Sequence, residues 1–336
     1  MISKAEGQTG ERRAAPPGLI RGARRALPIL VGVAALAGLV VAVNPRSLVG
    51  ALSRFNPFVV PVVILLSVSW YVLQGVRWHF LLRQVGAALH PVDTVLLSVA
   101  GQTITALFPL GDLTRAIFAA DAAGIEFGTS AATVTVQELT FTLLLVLIGI
   151  PGMLALHVGT GALAGIVTGM VVTFAILTVS PLFRLVHAVV SRLPLVRRLR
   201  HQIAELQGQT VALLHRPDTL GWSALDLVRA AIGVTVLWTI VEGLEPGAVG
   251  WWEAALVVAV AYVGGAVSFL PGGTGASDAS VVGLLVVLGV HPATAGAAAL
   301  LQRAATTGIA TSVGLIAYLL ARRRFALGGL LTRRSG

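Results

Sequence analysis

The sequence contains no cysteine and only one lysine, Lys4. The first absence excludes a disulfide framework and any thiolate metal site. The second leaves no lysine for a nucleotide-binding P-loop, so the chain is not expected to be its own ATPase. The seven histidines, at 79, 90, 157, 187, 201, 215 and 291, never fall into a metal-ligand spacing such as His-Glu-x-x-His. No metal, catalytic constellation or cofactor is therefore expected. Charge is scarce as well: 11% of the 336 residues are charged and 56% are hydrophobic, with a mean hydropathy of +0.89. That balance excludes a soluble globular class and predicts an all-α integral membrane protein. The net charge of +10 rests almost wholly on arginine. In so apolar a chain it reads as the positive-inside bias and attraction to an anionic inner leaflet, not as a nucleic-acid surface.

What is present is a series of apolar runs. Residues 1–25 form a basic tail, 26–321 a polytopic membrane domain, and 322–336 a second basic tail. The apolar runs lie at about 26–44, 57–76, 92–108, 128–156, 162–183, 221–241, 252–270 and 293–320, each long enough to approach or cross a bilayer. Arg77-Trp78-His79 with Arg83 reads as an interfacial anchor, as does Trp251-Trp252. The segment 184–218 carries six arginines and is the strongest cytoplasmic signal; its part 195–215 has the look of an amphipathic surface helix. Glu242, Glu245 and Glu253 have no basic neighbour and read as solvated on the outer side. With both termini and 184–218 inside, the stretches 92–123 and 252–290 each begin and end on one side, and on opposite sides of the membrane. The expectation is about six full spans plus two re-entrant hairpins at the cell membrane, with eight to nine crossings as the alternative.

Each hairpin is broken by a loop of unusual composition. The first is Phe108-Pro109-Leu110-Gly111-Asp112-Leu113-Thr114-Arg115; the second is Leu270-Pro271-Gly272-Gly273-Thr274-Gly275-Ala276-Ser277-Asp278. Lipid offers the backbone no hydrogen bonds, so such breaks survive only inside protein or against a wet cavity. A carboxylate at that depth is a functional candidate by default. Beyond the first loop come Gly124-Ile125 and, fourteen residues on, Gln137-Glu138; beyond the second come Gly289-Val290 and, fourteen residues on, Gln302-Arg303. The units 92–156 and 252–320 thus read as an inverted repeat, the plan of many secondary transporters.

These residues resemble the lysylphosphatidylglycerol synthase transmembrane region, or flippase-like domain family. Its members carry Pro-x-x-Gly-Glu-x-x-Arg early and Pro-Gly-Gly-x-Gly-x-x-Glu late. Here they correspond to Pro109-Leu110-Gly111-Asp112-Leu113-Thr114-Arg115 and Pro271-Gly272-Gly273-Thr274-Gly275-Ala276-Ser277-Asp278. Both family glutamates are aspartates. The family's Glu-Arg pair is Glu138-Leu139, so that arginine is missing, while Arg303 is retained. The resemblance spans about 30–320 and implies a lipid-handling membrane domain, fused in some members to a soluble aminoacyl-transferase that is not expected in this chain.

The candidate substrate ligands are Arg115, Arg303, Asp112, Glu138 and Asp278; the candidate loop-formers are Pro109, Gly111, Pro271, Gly272, Gly273 and Gly275. A guanidinium offers a planar fork of donors matched to a phosphodiester, and a carboxylate suits a headgroup amine or a proton. The competing reading pairs these two arginines with Asp112, Glu138 or Asp278 as purely structural contacts, the repeat suggesting Asp112 with Arg115 and Asp278 with Arg303, and has the aspartates as N-caps. Asp226 and Arg229, three apart, read as a structural pair near the inner surface. Three functions fit: a lipid translocase, an intramembrane enzyme acting on a lipid phosphate, and a non-catalytic subunit beside a separate lipid-modifying enzyme. The first is favoured because no nucleophile or metal cluster accompanies the carboxylates. The expected partners are membrane lipids and not nucleic acid.

Overall fold

A computed structural model describes residues 41, 45–105, 112–155, isolated positions between 161 and 182, 206–268 and 270–325. The expected first span (26–44), the span 162–183, both basic tails, and Pro109 and Gly111 lie wholly or mostly outside the described residues. All regular structure among the described residues is helical. The helices are α1 (Pro45–Ser53), α2 (Val60–Gln84, entered through a 3-10 turn at Pro57–Val59), α3 (Pro91–Thr105), α4 (Leu113–Ala123), α5 (Phe127–Ala155), α6 (Pro217–Trp222), α7 (Ala224–Leu244), α8 (Trp251–Val267), α9 (Ala276–Val287), α10 (Pro292–Arg303) and α11 (Ile309–Phe325). A π-helical turn, Ala304–Gly308, joins α10 to α11. Residues 206–214 are also helical.

Proline opens α1, α3, α6 and α10, where its missing N–H costs nothing and its fixed φ suits the first turn. The side chains of Asn56 and His291 accept from the next free amides, those of Phe58 and Ala293. Glycine closes α4 and α9 in the same way. Gly124 (φ 65) and Gly289 (φ 93) are left-handed, and the following amides, Ile125 and Val290, reach back to the carbonyls of Ala120 and Leu285. This cap satisfies carbonyls that lipid cannot. In both units a long helix restarts three residues after the glycine, at Phe127 and at Pro292.

Among the described residues, four continuous stretches are long and apolar enough to cross a membrane: Pro57–Gln84, Phe127–Leu154, Pro217–Leu244 and Pro292–Phe325. They leave large aliphatic side chains such as Leu65, Leu147 and Ile316 more than half exposed, a surface suited to lipid and not to water. The helices α4, α8 and α9 have 11, 17 and 12 residues, each shorter than the roughly 20 residues a full crossing requires; α3 is described over 15 residues, to Thr105.

The two most extensive helix contacts are α3 on α11 and α8 on α5. Each short first arm therefore lies against the long helix of the other unit. Glycines allow the close approach. A Cβ on Gly314 of α11 would meet the Val99 carbonyl oxygen at 2.8 Å, and one on Gly152 of α5 would strike the Trp252 carbonyl oxygen. Dispersion between closely apposed backbones holds helices together in a solvent where the hydrophobic effect does not.

The structure corrects one anchor. Arg77, Trp78 and His79 are not interfacial: they are 0, 0 and 6% exposed. Arg77 bonds Asp226 at 3.0 Å and the Thr219 carbonyl, and Trp78 donates to Thr133. Sequence shows only that these residues end an apolar run; that α7 packs on α2 decides their burial.

Candidate functional site

Where the two units meet, the helices surround a cavity of about 430 Å³. Its wall carries Trp70, Tyr71, Phe141 and Tyr262, aliphatic side chains of α5, α7 and α8, and five charges: Asp112, Glu138, Arg229, Asp278 and Arg303. Four of the five expected ligands thus come to one space. The fifth, Arg115, is fully buried behind Glu138.

The second loop delivers Asp278. Gly272, Gly273 and Gly275 have φ of 57, 64 and 86°, which glycine adopts without strain. Gly273 lies on Gly265 of α8 so closely that an added Cβ would meet the Gly265 Cα at 2.9 Å. The turn aims α9 back along α8. Asp278 accepts from the Gly275 amide at 3.0 Å, so it does cap the arm. It also binds Arg303 through two bonds, Nε to Oδ1 at 2.8 Å and Nη2 to Oδ2 at 2.6 Å. Cap and ion pair are one residue's work, and the pairing expected from the repeat is present. The π-helical turn follows Arg303 directly, and the Tyr71 hydroxyl donates to the Thr306 carbonyl within it. Such turns widen a helix locally and recur at functional sites.

On the opposite wall Arg115 takes Glu138, one of its candidate partners, and not Asp112, the partner suggested by the repeat. Its Nη1 donates to Gln137 at 2.9 Å and its Nη2 to Glu138 at 2.6 Å. Glu138 accepts further from Gln74 at 3.3 Å and, on its other oxygen, from Tyr262 at 2.7 Å. Gln102 donates to Gln74. The geometric reason is that α4 packs on α5, which brings Arg115 to Glu138, whereas Asp112 sits in the turn before α4 and lines the cavity. Asp112 stands at the N-cap position but makes no capping bond, and among the described residues it forms no ion pair. Buried charges tied this way hold each other, and removing one member costs several kcal/mol.

The expected Asp226–Arg229 pair is present, but loosely, at 4.0 Å, because Asp226 also bonds Arg77 and Thr140. What the sequence reading missed is that Arg229 belongs to the cavity. Arg229 is 1% exposed and lines the cavity. Its guanidinium carbon lies 4.0 Å from the ring centres of both Trp70 and Phe141, which meet nearly at right angles. Desolvated contacts of this kind contribute about 2 kcal/mol each. A signal was available: a charge inside the apolar run 221–241 warrants the same attention given to Glu138. Arg229 lies 3.7 Å from Glu138, beside the position whose sequence-adjacent arginine is missing. Among the described residues no cluster of His, Asp and Glu could hold a metal.

A family model for the lysylphosphatidylglycerol synthase TM region matches residues 28–314. The chain is also similar to a UPF0104 membrane protein of Methanothermobacter thermautotrophicus (strain ATCC 29096 / DSM 1053 / JCM 10044 / NBRC 100330 / Delta H), with 23% identity over 314 residues, 83% of this chain and 88% of that protein. With its membrane-spanning helices, its paired Pro/Gly-broken arms and this match over most of its length, the chain belongs to the lysylphosphatidylglycerol synthase TM region family.

Proposed function

We propose that the chain is a flippase-like lipid translocase. It moves an anionic or modified phospholipid, or a polyprenyl-phosphate-linked lipid, between leaflets. The carrying observation is the 430 Å³ cavity, ringed with both signs of charge and set among helices that expose hydrocarbon outward. A polar headgroup needs such a space to cross, because a charge in the bilayer centre is costly without partners. The short arm pairs α3–α4 and α8–α9 support the reading as re-entrant hairpins of an inverted repeat, whose broken ends meet at the site. The crossed packing of each first arm on the other unit's long helix fits two elements that rock against one another. A second, almost wholly apolar hollow of about 210 Å³, lined by Phe55, Ile64 and Ile309 among others, shares Ala305 with the cavity. It gives the lipid's hydrocarbon tail a path beside its headgroup. Both termini face the cytoplasm on this reading, and the driving force is an ion gradient or the substrate's own gradient.

The test is a leaflet assay with purified full-length protein in phosphatidylglycerol–phosphatidylethanolamine vesicles holding a fluorescent phosphatidylglycerol. Dithionite bleaches the outer leaflet. The expected result is bleaching of nearly all the label, with the lipid chemically unchanged by mass spectrometry. Bleaching that stops at half, or a chemically altered lipid, overturns the reading.

A further inference from the structure

We propose that Arg229 is an oxyanion anchor in the cavity, taking the phosphate of a headgroup that also bears a hydroxyl or ammonium donor. The inference rests on the translocation reading only for the source of that phosphate.

The other buried guanidiniums are engaged. Arg77 holds Asp226, Arg115 holds Gln137 and Glu138, and Arg303 holds Asp278 through two bonds. Arg229 differs. None of its Nε, Nη1 and Nη2 makes a hydrogen bond, although the side chain is 1% exposed. The nearest carboxylate oxygens, at 3.7 Å on Glu138 and 4.0 Å on Asp226, are too far to accept one. Donors buried and unused are destabilising, so they call for a partner. The two rings explain how the charge is held meanwhile. The guanidinium carbon lies 4.0 Å from the centres of both Trp70 and Phe141, whose planes are 87° apart, and a ring face attracts the cation without supplying a lone-pair acceptor to its N–H groups. Those unused donors match the oxygens of a phosphate. Glu138 does not compete strongly, since both its oxygens already accept from Arg115, Gln74 and Tyr262.

The cavity also supplies a complementary group. Gln302 lines it and has an Oε1 that is buried without a partner. A carbonyl oxygen only accepts, so it asks for a donor such as a hydroxyl or ammonium. A phosphate with an attached polyol or amine satisfies both requirements. A bare fatty acid or a diacylglycerol does not.

The experiment measures binding to the full chain in maltoside detergent by calorimetry. The probes are dihexanoyl phosphatidylglycerol, glycerol 3-phosphate and dihexanoylglycerol. For wild type, the first should bind more tightly than the phosphate-free dihexanoylglycerol by on the order of tenfold or more. Equal affinity overturns the proposal without any variant. Arg229→Gln and Arg229→Lys should both lose that preference, because an ammonium does not reproduce a planar fork. The conservative Arg229→Lys keeps the charge near Glu138 and serves where Arg229→Gln does not fold. A variant that keeps full preference for the phosphate ligand overturns the anchor. Glycerol 3-phosphate binding as tightly as the lipid assigns a free phosphate; binding of the lipid alone assigns a headgroup. The leaflet assay is separable. Phosphate-dependent binding through Arg229 with no lipid movement keeps this inference and rejects translocation, and movement unaffected in Arg229→Lys does the reverse.

Discussion

The Asp278–Arg303 pair can be taken apart one charge at a time. Both side chains are largely buried, 6 and 14% exposed, and share two bonds of 2.8 and 2.6 Å. Asp278→Asn keeps an oxygen for the Gly275 amide, so the cap, worth about 1 kcal/mol, is retained. What it removes is the charge that balances Arg303. Leaving one member of a buried pair costs about 3–5 kcal/mol, whereas removing both leaves no lone charge. Arg303→Gln should therefore cost about 3 kcal/mol, Asp278→Asn a similar amount, and the double variant about 1 kcal/mol. The coupling energy in the cycle should thus exceed about 3 kcal/mol. Denaturant titration of the detergent-purified protein, followed by tryptophan fluorescence, measures it. Strictly additive losses would refute the reasoning, because they would mean that the pair is screened by water. The same proteins separate structure from function. If these residues bind substrate, the double variant regains stability but not lipid transfer; if it regains transfer as well, they are structural.

Three further outcomes are expected. Gly273→Val should cost at least about 2 kcal/mol and abolish transfer, because φ of 64° strains a β-branched residue and its Cβ would strike Gly265; normal transfer by a folded variant would make the loop a mere connector. Gly152→Ala should destabilise the α5–α8 contact by about 1–3 kcal/mol, since its Cβ meets the Trp252 carbonyl, and denaturant midpoints check it. In this cysteine-free chain, Asp121→Cys should react with an impermeant thiol reagent only from the cytoplasm and Pro246→Cys only from outside; external labelling at 121 would remove the inversion of the two units.

Much of this architecture is legible in the sequence because lipid is a strict solvent. Pro271-Gly272-Gly273 marks a helix break, and Gly124 and Gly289 close the arms before them, so these breaks follow from local chemistry. Asp278 and Arg303, both in the second unit, meet as the repeat suggests. Where local chemistry is silent, the reading fails. Arg115 turns to Glu138 and not to its neighbour Asp112 because helix packing, which no spacing encodes, sets the direction of its side chain. Arg77-Trp78-His79 has the composition of an anchor and the burial of a core. Arg229 does form its i, i+3 pair with Asp226, but no spacing announces the two aromatic residues from α2 and α5 that close over it. The π-helical turn at Ala304–Gly308 has no sequence signature that separates it from ordinary helix.

The central claim is that lipid crosses the membrane through the cavity, and the most direct measurement is the rate of leaflet exchange with that cavity open and filled. Ala266 lines the cavity and is not buried in the core, so Ala266→Trp adds bulk at the cavity wall. Vesicles with wild-type protein should expose their inner-leaflet fluorescent phosphatidylglycerol to dithionite, and vesicles with an equally stable Ala266→Trp protein should not. Exchange at the same rate by both proteins, or no acceleration by wild type over protein-free vesicles, would contradict the account.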